Sequence, residues 1–480
     1  MIYEIPSHVA TQLKEFFNQF DFIDKVVVFG SRARHDCTPK SDIDLCIYSL
    51  EMTDIQFSKL KFEIDELPIL YKLDVVHFEK VNKELQDNVE RDGKLLFSKN
   101  VELSKVTDFI NGYAFKSELF QEKGIPIIRI GNLENDNINL KNLVYYEKSE
   151  KFNSYIIKRK DILIAMSGAT TGKIAYYNFD EIMYLNQRIG AIKIKEKLDS
   201  IYLFYFLKQN KDNLLSLATG SAQPNLSSKI INQIQIPLPT LTKQKKIANI
   251  LDKASELITL RKESIQKLDE LSKSIFIDMF GDPVLNPKKW KTIKLSKLGY
   301  CKNGLNYDSK ENKYKIKCLG VGDFKNLTTI DDIESLQIIS VDKQPSVEYL
   351  LQNKDLVFVR SNGNKELVGR CVEVYPNEEK VTFGGFCIRF RLSSDLVIVS
   401  YLLNVLKCKS MRQKMLGRGA NIQNLNQQIL NGLDIPLPLI TLQTKFATII
   451  EKIEEQKALY EKELKLLENN FDSLLDESFN

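Results

Sequence analysis

Two aspartates stand two residues apart behind a Gly-Ser turn near the start of the chain. The stretch reads VVVFGSRARHDCTPKSDIDLCIYSL, in which Gly30 and Ser31 precede Asp42 and Asp44. Residues two apart on a strand point to the same side, so both carboxylates would face one way. Paired carboxylates bind a divalent metal more readily than they tolerate being bare and ionised together. The spacing therefore predicts a metal site beside the turn.

A third carboxylate and a phosphate cradle extend this pattern. Asp74 lies in YKLDVVHF, a second apolar strand that can lie alongside the first. Gly30 lets the backbone approach a phosphate closely, and the Ser31 hydroxyl can donate a hydrogen bond to it. An isolated Asp-x-Asp is more often a solvated strand edge or a turn cap. The combination instead favours a site for a metal ion and a phosphate group.

The composition indicates several folded domains. The chain has 480 residues, 43% of them hydrophobic, which is room for about three domains. No signal-peptide pattern or membrane-length apolar run is seen, so we expect a cytoplasmic protein with no membrane partner. Seven irregularly spaced cysteines and three histidines argue against a disulfide framework and a zinc site. Residues 1–100 carry 13 Lys and Arg against 18 Asp and Glu, so the basic excess lies in the remainder and fits a polyanionic partner.

The remainder is internally duplicated. QPNLSSKIINQIQIPLPTLTKQKKIANILDK at 223–253 recurs as IQNLNQQILNGLDIPLPLITLQTKFATIIEK at 422–452, a shift of 199 residues. Upstream, DILIAMSGATTGKIAYY faces DLVFVRSNGNKELVGRCVEVY at a shift of 194. A repeat of this length predicts two equivalent modules that differ by insertions. Short Val/Ile/Tyr-rich runs with Gly and Asn turns indicate strands with interspersed helices in each module.

Each module ends in a long helix. Segments 241–279 and 440–478 are rich in Lys, Glu and Leu, follow a Pro-Leu-Pro stop and share an apolar stripe in the same register. A seven-residue seam kept over several heptads predicts an antiparallel coiled coil between the two copies. The alternative is that each helix merely caps its own domain. Such a helix spans about 55 Å, the scale needed to separate two modules along DNA.

This order of segments carries a resemblance. A variable domain, TGSAQPNLS at 219–227, IPLP, a long helix, and then the whole set again resemble the DNA-specificity (S) subunits of type I restriction-modification systems, over about residues 101–480. The resemblance implies two target-recognition domains that each read one half of a split site in double-stranded DNA, with the helices fixing the gap. It also implies docking of modification (methyltransferase) subunits and a restriction (motor-nuclease) subunit, in phage defence.

Basic side chains in both modules are the predicted DNA contacts. They lie near strand and turn residues from which a side chain can reach phosphates or guanine edges. The set is Lys173, Arg188, Arg360, Lys365, Arg370 and Arg389. For any one of them, an ordinary surface charge or a phosphate contact is a more common role than base reading. SNGNKELVGR lengthens the turn that SGATTGK forms in the first module, so we expect the modules to read different half-sites.

Catalytic motifs are missing from the duplicated part. It contains no Asn-Pro-Pro-aromatic motif, no glycine-rich cofactor loop followed by an acidic residue, and no GxxxxGK[ST]. We therefore expect no cofactor for residues 101–480. We also expect no methyltransferase or nuclease activity in this chain.

The front of the chain carries a second resemblance. Gly-Ser, a short basic loop, Asp-x-Asp and a later Asp resemble the minimal nucleotidyltransferase family, and LQDNVERDGKLLF at 85–97 is similar to its closing run. The resemblance implies that the three aspartates are catalytic and hold Mg²⁺, while Gly30 and Ser31 hold the phosphates of a nucleoside triphosphate, most simply ATP. The metal would activate an acceptor hydroxyl and stabilise the leaving pyrophosphate. The sequence departs from the family at His35, where a glycine is usual.

These observations predict an α+β multidomain chain. The predicted parts are a nucleotidyltransferase-like α/β domain at 1–97, target-recognition domains at 101–238 and 286–437, and spacer helices at 241–279 and 440–478. The leading hypothesis is a DNA-specificity subunit with a fused nucleotidyltransferase domain. The alternative is a metal-dependent nucleotidyltransferase, acting on a protein or a small molecule, that the C-terminal part targets or regulates. A purely structural coiled-coil adaptor would explain the helices but not the two modules.

Overall fold

The computed structural model describes residues 3–20, 22–49, 52–134, 136–168, 170–218, 225–307, 314–324, 327–416 and 424–479. Contacts divide the chain into two compact units, residues 1–259 with 466–480, and residues 260–465. Each unit contains parts of both long helices. Among the described residues, no helix is both long and apolar enough to cross a membrane.

The front domain, predicted at residues 1–97, is a four-stranded sheet with helices packed on it. The strand order is Leu73–His77, Ile43–Tyr48, Lys25–Phe29 and Lys94–Ser98. The first two strands are parallel and the other neighbours antiparallel. The helices are Ser7–Phe17, Ser31–Arg34, Asp54–Asp65 and Lys83–Asp92. Both faces of the sheet are covered, one by the main apolar core and the other by a smaller cluster, which explains the unbroken apolar run in its strands.

The first module, residues 101–238, is built on two sheets. One contains the strands Ile174–Tyr176, Ile162–Ala165, Ile189–Ile194 and Thr107–Asn111. The other contains Val144–Tyr146, Ile125–Ile128, Met183–Leu185 and Ile156–Ile157. A two-stranded ribbon pairs Asn100–Glu102 with Gln235–Pro237. The α-helices are Leu103–Val106, Ser200–Gln209, Lys211–Leu217 and Ser228–Asn232.

The second module, predicted at residues 286–437, repeats most of these elements in the same chain order, with sheets of five and three strands in place of four and four. Its larger sheet contains Gly299–Asn303, Cys387–Leu392, Asp355–Val359, Cys371–Val374 and Thr329–Ile330. Its smaller sheet contains Gln337–Val341, Tyr314–Leu319 and Val381–Phe383. The ribbon pairs Thr292–Lys294 with Asp434–Pro436. The helices are Val399–Lys407, Lys409–Leu416 and Gln427–Asn431.

A fully buried glutamine ties each long helix to its own module. The side-chain oxygen of Gln244 accepts a hydrogen bond from the Asp199 N–H at 2.8 Å. Its amide nitrogen donates to the carbonyls of Lys197 at 3.1 Å and Pro239 at 2.8 Å. Gln443, also fully buried, repeats the three bonds with Ile398, Leu396 and Pro438 at 2.9, 3.1 and 2.9 Å. The duplication therefore extends to individual buried polar contacts.

Replacing Gln443 with leucine is expected to lower the free energy of unfolding of residues 260–465 by about 3 kcal/mol. Leucine fills a similar volume but removes the partner of one N–H and two carbonyls, and an unpaired group costs about 1–3 kcal/mol where it is buried. Urea unfolding of the full chain measures the loss. Gln456→Leu, on an exposed position of the same helix, is the matched control. Equal midpoints for the two variants would contradict the anchoring role.

The spacer helices are Leu241–Phe280 and Ile440–Phe479. Within residues 260–465 their contacts run in opposite chain directions. From one end of this region to the other, the Phe276 and Phe446 rings lie 5.6 Å apart, Asp269 pairs with Lys457 at 2.7 Å, and the Arg261 guanidinium lies 4.1 Å from the centre of the Tyr460 ring. These contacts agree with the predicted antiparallel direction.

In the other unit, one apolar cluster joins the start of the first spacer helix to the end of the second. It includes Leu251, Phe471 and Leu475, together with Tyr205 of the first module. Leu251 and Phe471, which lie on the apolar stripe of the two helices, are both buried. A regular coiled coil along the whole length is not established by these contacts and stays a prediction.

One residue separates the front-domain sheet from the ribbon of the first module. Strand Lys94–Ser98 ends just before Lys99, whose N–H donates to the Asp24 carbonyl at 3.1 Å. The Lys99 carbonyl accepts from the Leu238 N–H at 2.9 Å. In addition, the Lys243 ammonium lies 3.5 Å from the carboxylate of the buried Asp24. The front domain is thus hydrogen-bonded to its neighbours, so experiments on it are best made on the full chain.

Candidate functional sites

The strand register brings the predicted carboxylates to one edge of the front-domain sheet. Asp44 on the strand Ile43–Tyr48 is directly beside Asp74 on the parallel neighbour. On its other side Asp44 is paired with Phe29, the last residue before Gly30. Asp42 immediately precedes the same strand. The Gly-Ser turn and the aspartates therefore meet, as the spacing indicated.

Gly30 is required by the position of Asp44. Its φ angle is +70°, in the left-handed region that favours glycine. A Cβ atom built on Gly30 would lie 2.2 Å from the Asp44 Oδ2 atom. Ser31 then begins the short helix Ser31–Arg34. The backbone at Gly30 therefore lies against the Asp44 carboxylate, and a side chain at residue 30 would displace that carboxylate.

We expect Gly30→Ala to destabilise the front domain by about 1–3 kcal/mol and to abolish nucleotide binding there. The methyl group collides with the Asp44 carboxylate, and the left-handed backbone alone costs about 1–2 kcal/mol. Thermal unfolding and ATP titration of the full chain measure the two effects. Gly131→Ala is the control, because a Cβ atom there meets nothing within 4 Å. Unchanged melting and binding in Gly30→Ala would disprove the requirement.

Three negatively charged carboxylates, those of Asp42, Asp44 and Asp74, lie near one another at this edge of the sheet. Burial, followed by the nearby carboxylates of Asp74 and Asp42, raises the pKa of Asp44 above its ordinary value. The Lys72 ammonium lies 2.9 Å from Asp74 Oδ2 and 3.3 Å from Asp42 Oδ2. These two hydrogen bonds raise the pKa of Lys72. A cationic group therefore already compensates two of the three carboxylates.

The donor chemistry fits a divalent ion, although the side chains do not form a closed ligand set. Across the described ranges, no three His, Cys, Asp or Glu side chains lie close enough together to form a metal-binding group. The carboxylate oxygens at 42, 44 and 74 are nevertheless hard donors of the kind Mg²⁺ prefers. The Lys72 ammonium shows that a cation can lie between two of them. The assignment of the three aspartates as metal ligands stays a prediction.

Arg32 and Lys72 are two residues that the sequence reasoning missed. The buried Arg32 guanidinium donates to the carbonyls of Ser41 at 2.7 Å and Asp42 at 3.2 Å, and so fixes the backbone that carries the first aspartate. Its position directly after the Gly-Ser turn was the available signal. Lys72 stands two residues before Asp74, which puts both on the same side of an extended chain. Both residues position or compensate the carboxylates.

The departure at His35 is explained by its backbone. His35 has a φ of 63° and a ψ of 31°, the left-handed conformation in which a glycine is most easily accommodated. Its ring nitrogen Nδ1 lies 3.3 Å from the Glu4 carboxylate. The histidine therefore follows the backbone path expected of a glycine, at a cost of about 1–2 kcal/mol.

In the first module, the predicted basic residues lie around one loop edge. Ser167 forms an isolated bridge with Asn225, and the neighbouring Met166 N–H donates to the Arg188 carbonyl at 2.9 Å. Arg188 is exposed, and Lys173, at the end of the loop, is half-buried. Residues 219–224 of TGSAQPNLS lie outside the described residues. We call the loop 166–173 and the turn 186–188 the first recognition edge.

The second module has an equivalent edge. Ser361 bridges Asn424, and the Arg360 N–H donates to the Phe386 carbonyl at 2.8 Å. The Arg360 guanidinium also donates to the Gly385 carbonyl at 3.2 Å. Arg370 is half-buried at the end of this loop. We call the loop 360–370 and the turn 384–386 the second recognition edge.

Two of the predicted DNA contacts, Arg389 and Lys365, are not supported as contacts from these edges. Arg389 is 1% exposed, and its guanidinium donates to the Glu348 carbonyl at 3.0 Å and lies 5.4 Å from the centre of the Tyr300 ring. It is held inside the domain and cannot reach a phosphate or a base, so we remove it from the DNA contacts. The side chain of Lys365 lies outside what the structure describes. The other four assignments stay predictions.

Comparison with known proteins now assigns both parts of the chain. Residues 98–270 and 287–469 match the type I restriction modification DNA specificity domain. Residues 11–102 match the family described as polymerase beta, nucleotidyltransferase. The first match takes in most of the chain, and the second coincides with the region that carries the Gly-Ser turn and the aspartates. The two resemblances identified in the sequence are confirmed.

Relatives of known function are similar over the duplicated part. The StySPI specificity subunit of Salmonella potsdam is 26% identical over 378 residues, 74% of this chain and 80% of the relative. The EcoKI specificity subunit of Escherichia coli K12 is 23% identical over the same shares. A solved chain of a type I R-M system has a TM-score of 0.50 at 16% identity, covering 80% of this chain and 97% of the other, and confirms the fold class. The chain belongs to the type I restriction modification DNA specificity family and carries a nucleotidyltransferase domain at its front.

Proposed function

We propose that this chain gives a type I restriction-modification system its DNA specificity. It reads a two-part site in double-stranded DNA, one half with residues 101–238 and the other with residues 286–437. The spacer helices hold the modules at a set distance and dock the modification and restriction subunits, in the cytoplasm. The observation that carries the proposal is that the two edges repeat the same backbone hydrogen bonds, from Met166 to Arg188 and from Arg360 to Phe386, while their exposed side chains differ. A constant scaffold with variable loops is the usual arrangement of a recognition protein.

The charge of the two edges supports contact with DNA. Arg188 is exposed on the first edge, and the carbonyl of Gly385 orients the Arg360 guanidinium on the second. Arginine in such positions contacts phosphates or donates two hydrogen bonds to guanine. Phosphate contacts would make binding weaken steeply as salt concentration rises.

The front domain is proposed to transfer a nucleotidyl group from ATP to an acceptor hydroxyl. Asp42, Asp44 and Asp74 would hold Mg²⁺, which when bound neutralises phosphate charge. Gly30 and Ser31 would hold the phosphates, because the backbone of the turn approaches closely and the hydroxyl can donate. Arg32 keeps the Asp42 backbone in place through its carbonyl contacts. The acceptor is a hydroxyl of a protein or of a small molecule.

The alternative is an enzyme whose duplicated part only targets or regulates the front domain. Methylation mapping separates the two proposals. Cells that express the modification subunits with this chain are expected to methylate a split sequence, and cells without the chain are expected to lose that methylation. Pyrophosphate release by the chain, with no methylation that depends on it, would favour the alternative and contradict the proposed specificity role.

A further inference from the structure

The modules place different side chains at one equivalent position of their recognition edges. In each module, the turn before an inner strand is closed by an equivalent backbone hydrogen bond. The Ile189 N–H donates to the Asn186 carbonyl at 3.0 Å in the first module, and the Cys387 N–H donates to the Gly384 carbonyl at 2.8 Å in the second. Each turn has two residues between its bonded ends. The second of these is Arg188 in the first module and Phe386 in the second.

Neighbouring bonds confirm that these positions correspond. The Arg188 carbonyl accepts from the Met166 N–H at 2.9 Å, and the Phe386 carbonyl accepts from the Arg360 N–H at 2.8 Å. The residues before the turns are held alike as well, since the N–H groups at 186 and 384 donate to the carbonyls of Ile128 and Leu319 at 3.1 and 3.0 Å. The backbone is therefore the same in both modules while the exposed side chain differs.

The surroundings of Phe386 suit a particular ligand chemistry. Its ring is 68% exposed, although single exposed apolar residues are common on protein surfaces. What sets this ring apart is its place on the second recognition edge, at the turn position that corresponds to Arg188. An exposed apolar ring at a position from which a base can be read matches an apolar base substituent. In the major groove that substituent is the C5-methyl group of thymine.

We propose that Phe386 determines specificity by contacting the methyl group of a thymine in the half-site read by the second module. This inference rests on the proposed DNA-specificity function and deepens it. Arg188, at the equivalent position, has the guanidinium donors that match O6 and N7 of guanine. The two modules thus use one backbone position to read two different bases.

The methyl contact can be distinguished from insertion of the ring between bases. An inserted ring unstacks a base step and kinks the duplex. Replacing thymine by deoxyuridine removes only the methyl group and leaves stacking and base pairing in place. A methyl contact is therefore sensitive to this replacement, and insertion is not.

The test uses the full chain with its modification subunits and the site obtained from methylation mapping. Each thymine of the second half-site is replaced in turn by deoxyuridine, and binding is measured at one salt concentration. One replacement is expected to weaken wild-type binding about tenfold, within the range for losing one base contact. The Phe386→Ala chain should bind the thymine-containing site about tenfold more weakly than wild type does. Replacing that thymine by deoxyuridine should not weaken its binding further. Leu396→Ala, 52% exposed and past the opposite end of the same strand, should bind like wild type.

A gain of function completes the test. Phe386→Arg is expected to move the preference at that position from thymine to guanine, with the first half-site unchanged. The assignment of Phe386 would be overturned if no deoxyuridine changed wild-type binding, or if Phe386→Ala kept the full preference for thymine. Either result would leave the proposed function in place. A wild-type chain that directs no methylation would overturn the assignment together with the proposed function.

Discussion

Changing Asp44 to asparagine in the full-length chain is expected to weaken magnesium-dependent ATP binding by about 100-fold or more and to abolish nucleotidyl transfer. Asparagine keeps the shape of the side chain but removes a charge from the edge where the three aspartates meet. Loss of a residue that only supports a metal ligand already costs about 10- to 100-fold, so loss of a proposed ligand should cost at least as much. Methylation of DNA directed by the same chain should continue.

The variant should also remain folded. Burial and the neighbouring carboxylates raise the pKa of Asp44, so its charged form is less favourable in the folded chain than in the unfolded one. The neutral Asp44 carboxyl group makes its full contribution to the stability of the folded chain below the ordinary carboxyl pKa. This contribution is lost as pH rises through the raised pKa. At neutral pH asparagine removes an unfavourable charge, and we expect a melting temperature equal to or above that of wild type.

ATP titration with and without magnesium, together with thermal unfolding, checks both expectations. Asp65→Asn, an exposed acidic residue at the end of the helix Asp54–Asp65, is the matched control and should behave like wild type. ATP binding by the wild-type chain that does not depend on magnesium would contradict the metal assignment. Loss of directed methylation in Asp44→Asn would mean that the front domain takes part in DNA recognition or in assembly with the modification subunits.

Much of the architecture could be predicted because it depends on periodicity and repetition. The 199-residue shift predicted two equivalent modules, and the buried Gln244 and Gln443 lie within the repeated segment at that shift. The long helices were predicted at 241–279 and 440–478, within one residue of their observed ends. The Asp-x-Asp spacing and the second apolar strand predicted a cluster of carboxylates, and the structure places Asp44 against Gly30 and beside Asp74.

What the sequence could not supply were contacts between segments far apart in the chain. Arg389 reads as an accessible cation on a strand, but the carbonyls of Glu348 and Leu350, about 40 residues earlier, enclose its guanidinium. Arg32 likewise reads as part of a basic loop, yet it is buried against the Ser41 carbonyl. Periodicity assigns a side chain to a face of an element, but it does not say what covers that face.

Exchange of residues 286–437 for the corresponding domain of another specificity subunit is the second change with a large expected effect. We expect the recognised sequence to change completely in one half and to stay the same in the other. The second module carries its own edge, core and glutamine anchor, and Gln443 bonds to carbonyls in and just after the module. The first module has an equivalent set of contacts of its own around Gln244.

The exchange is best designed around these anchors. The replacement should begin at Asn286, whose side chain forms two hydrogen bonds with the Trp290 backbone, and should end at Leu437 in the second Pro-Leu-Pro stop, so that both spacer helices stay intact. A control chain in which residues 286–437 are replaced by an identical copy carrying only silent DNA changes should keep the original site.

Sequencing of modified bases in cells that express the exchanged chain with the modification subunits tests the central claim most directly. The account predicts methylation at a new two-part site that shares one half, and the gap length, with the original. A site changed in both halves, or in neither, would contradict the claim that each module reads its own half.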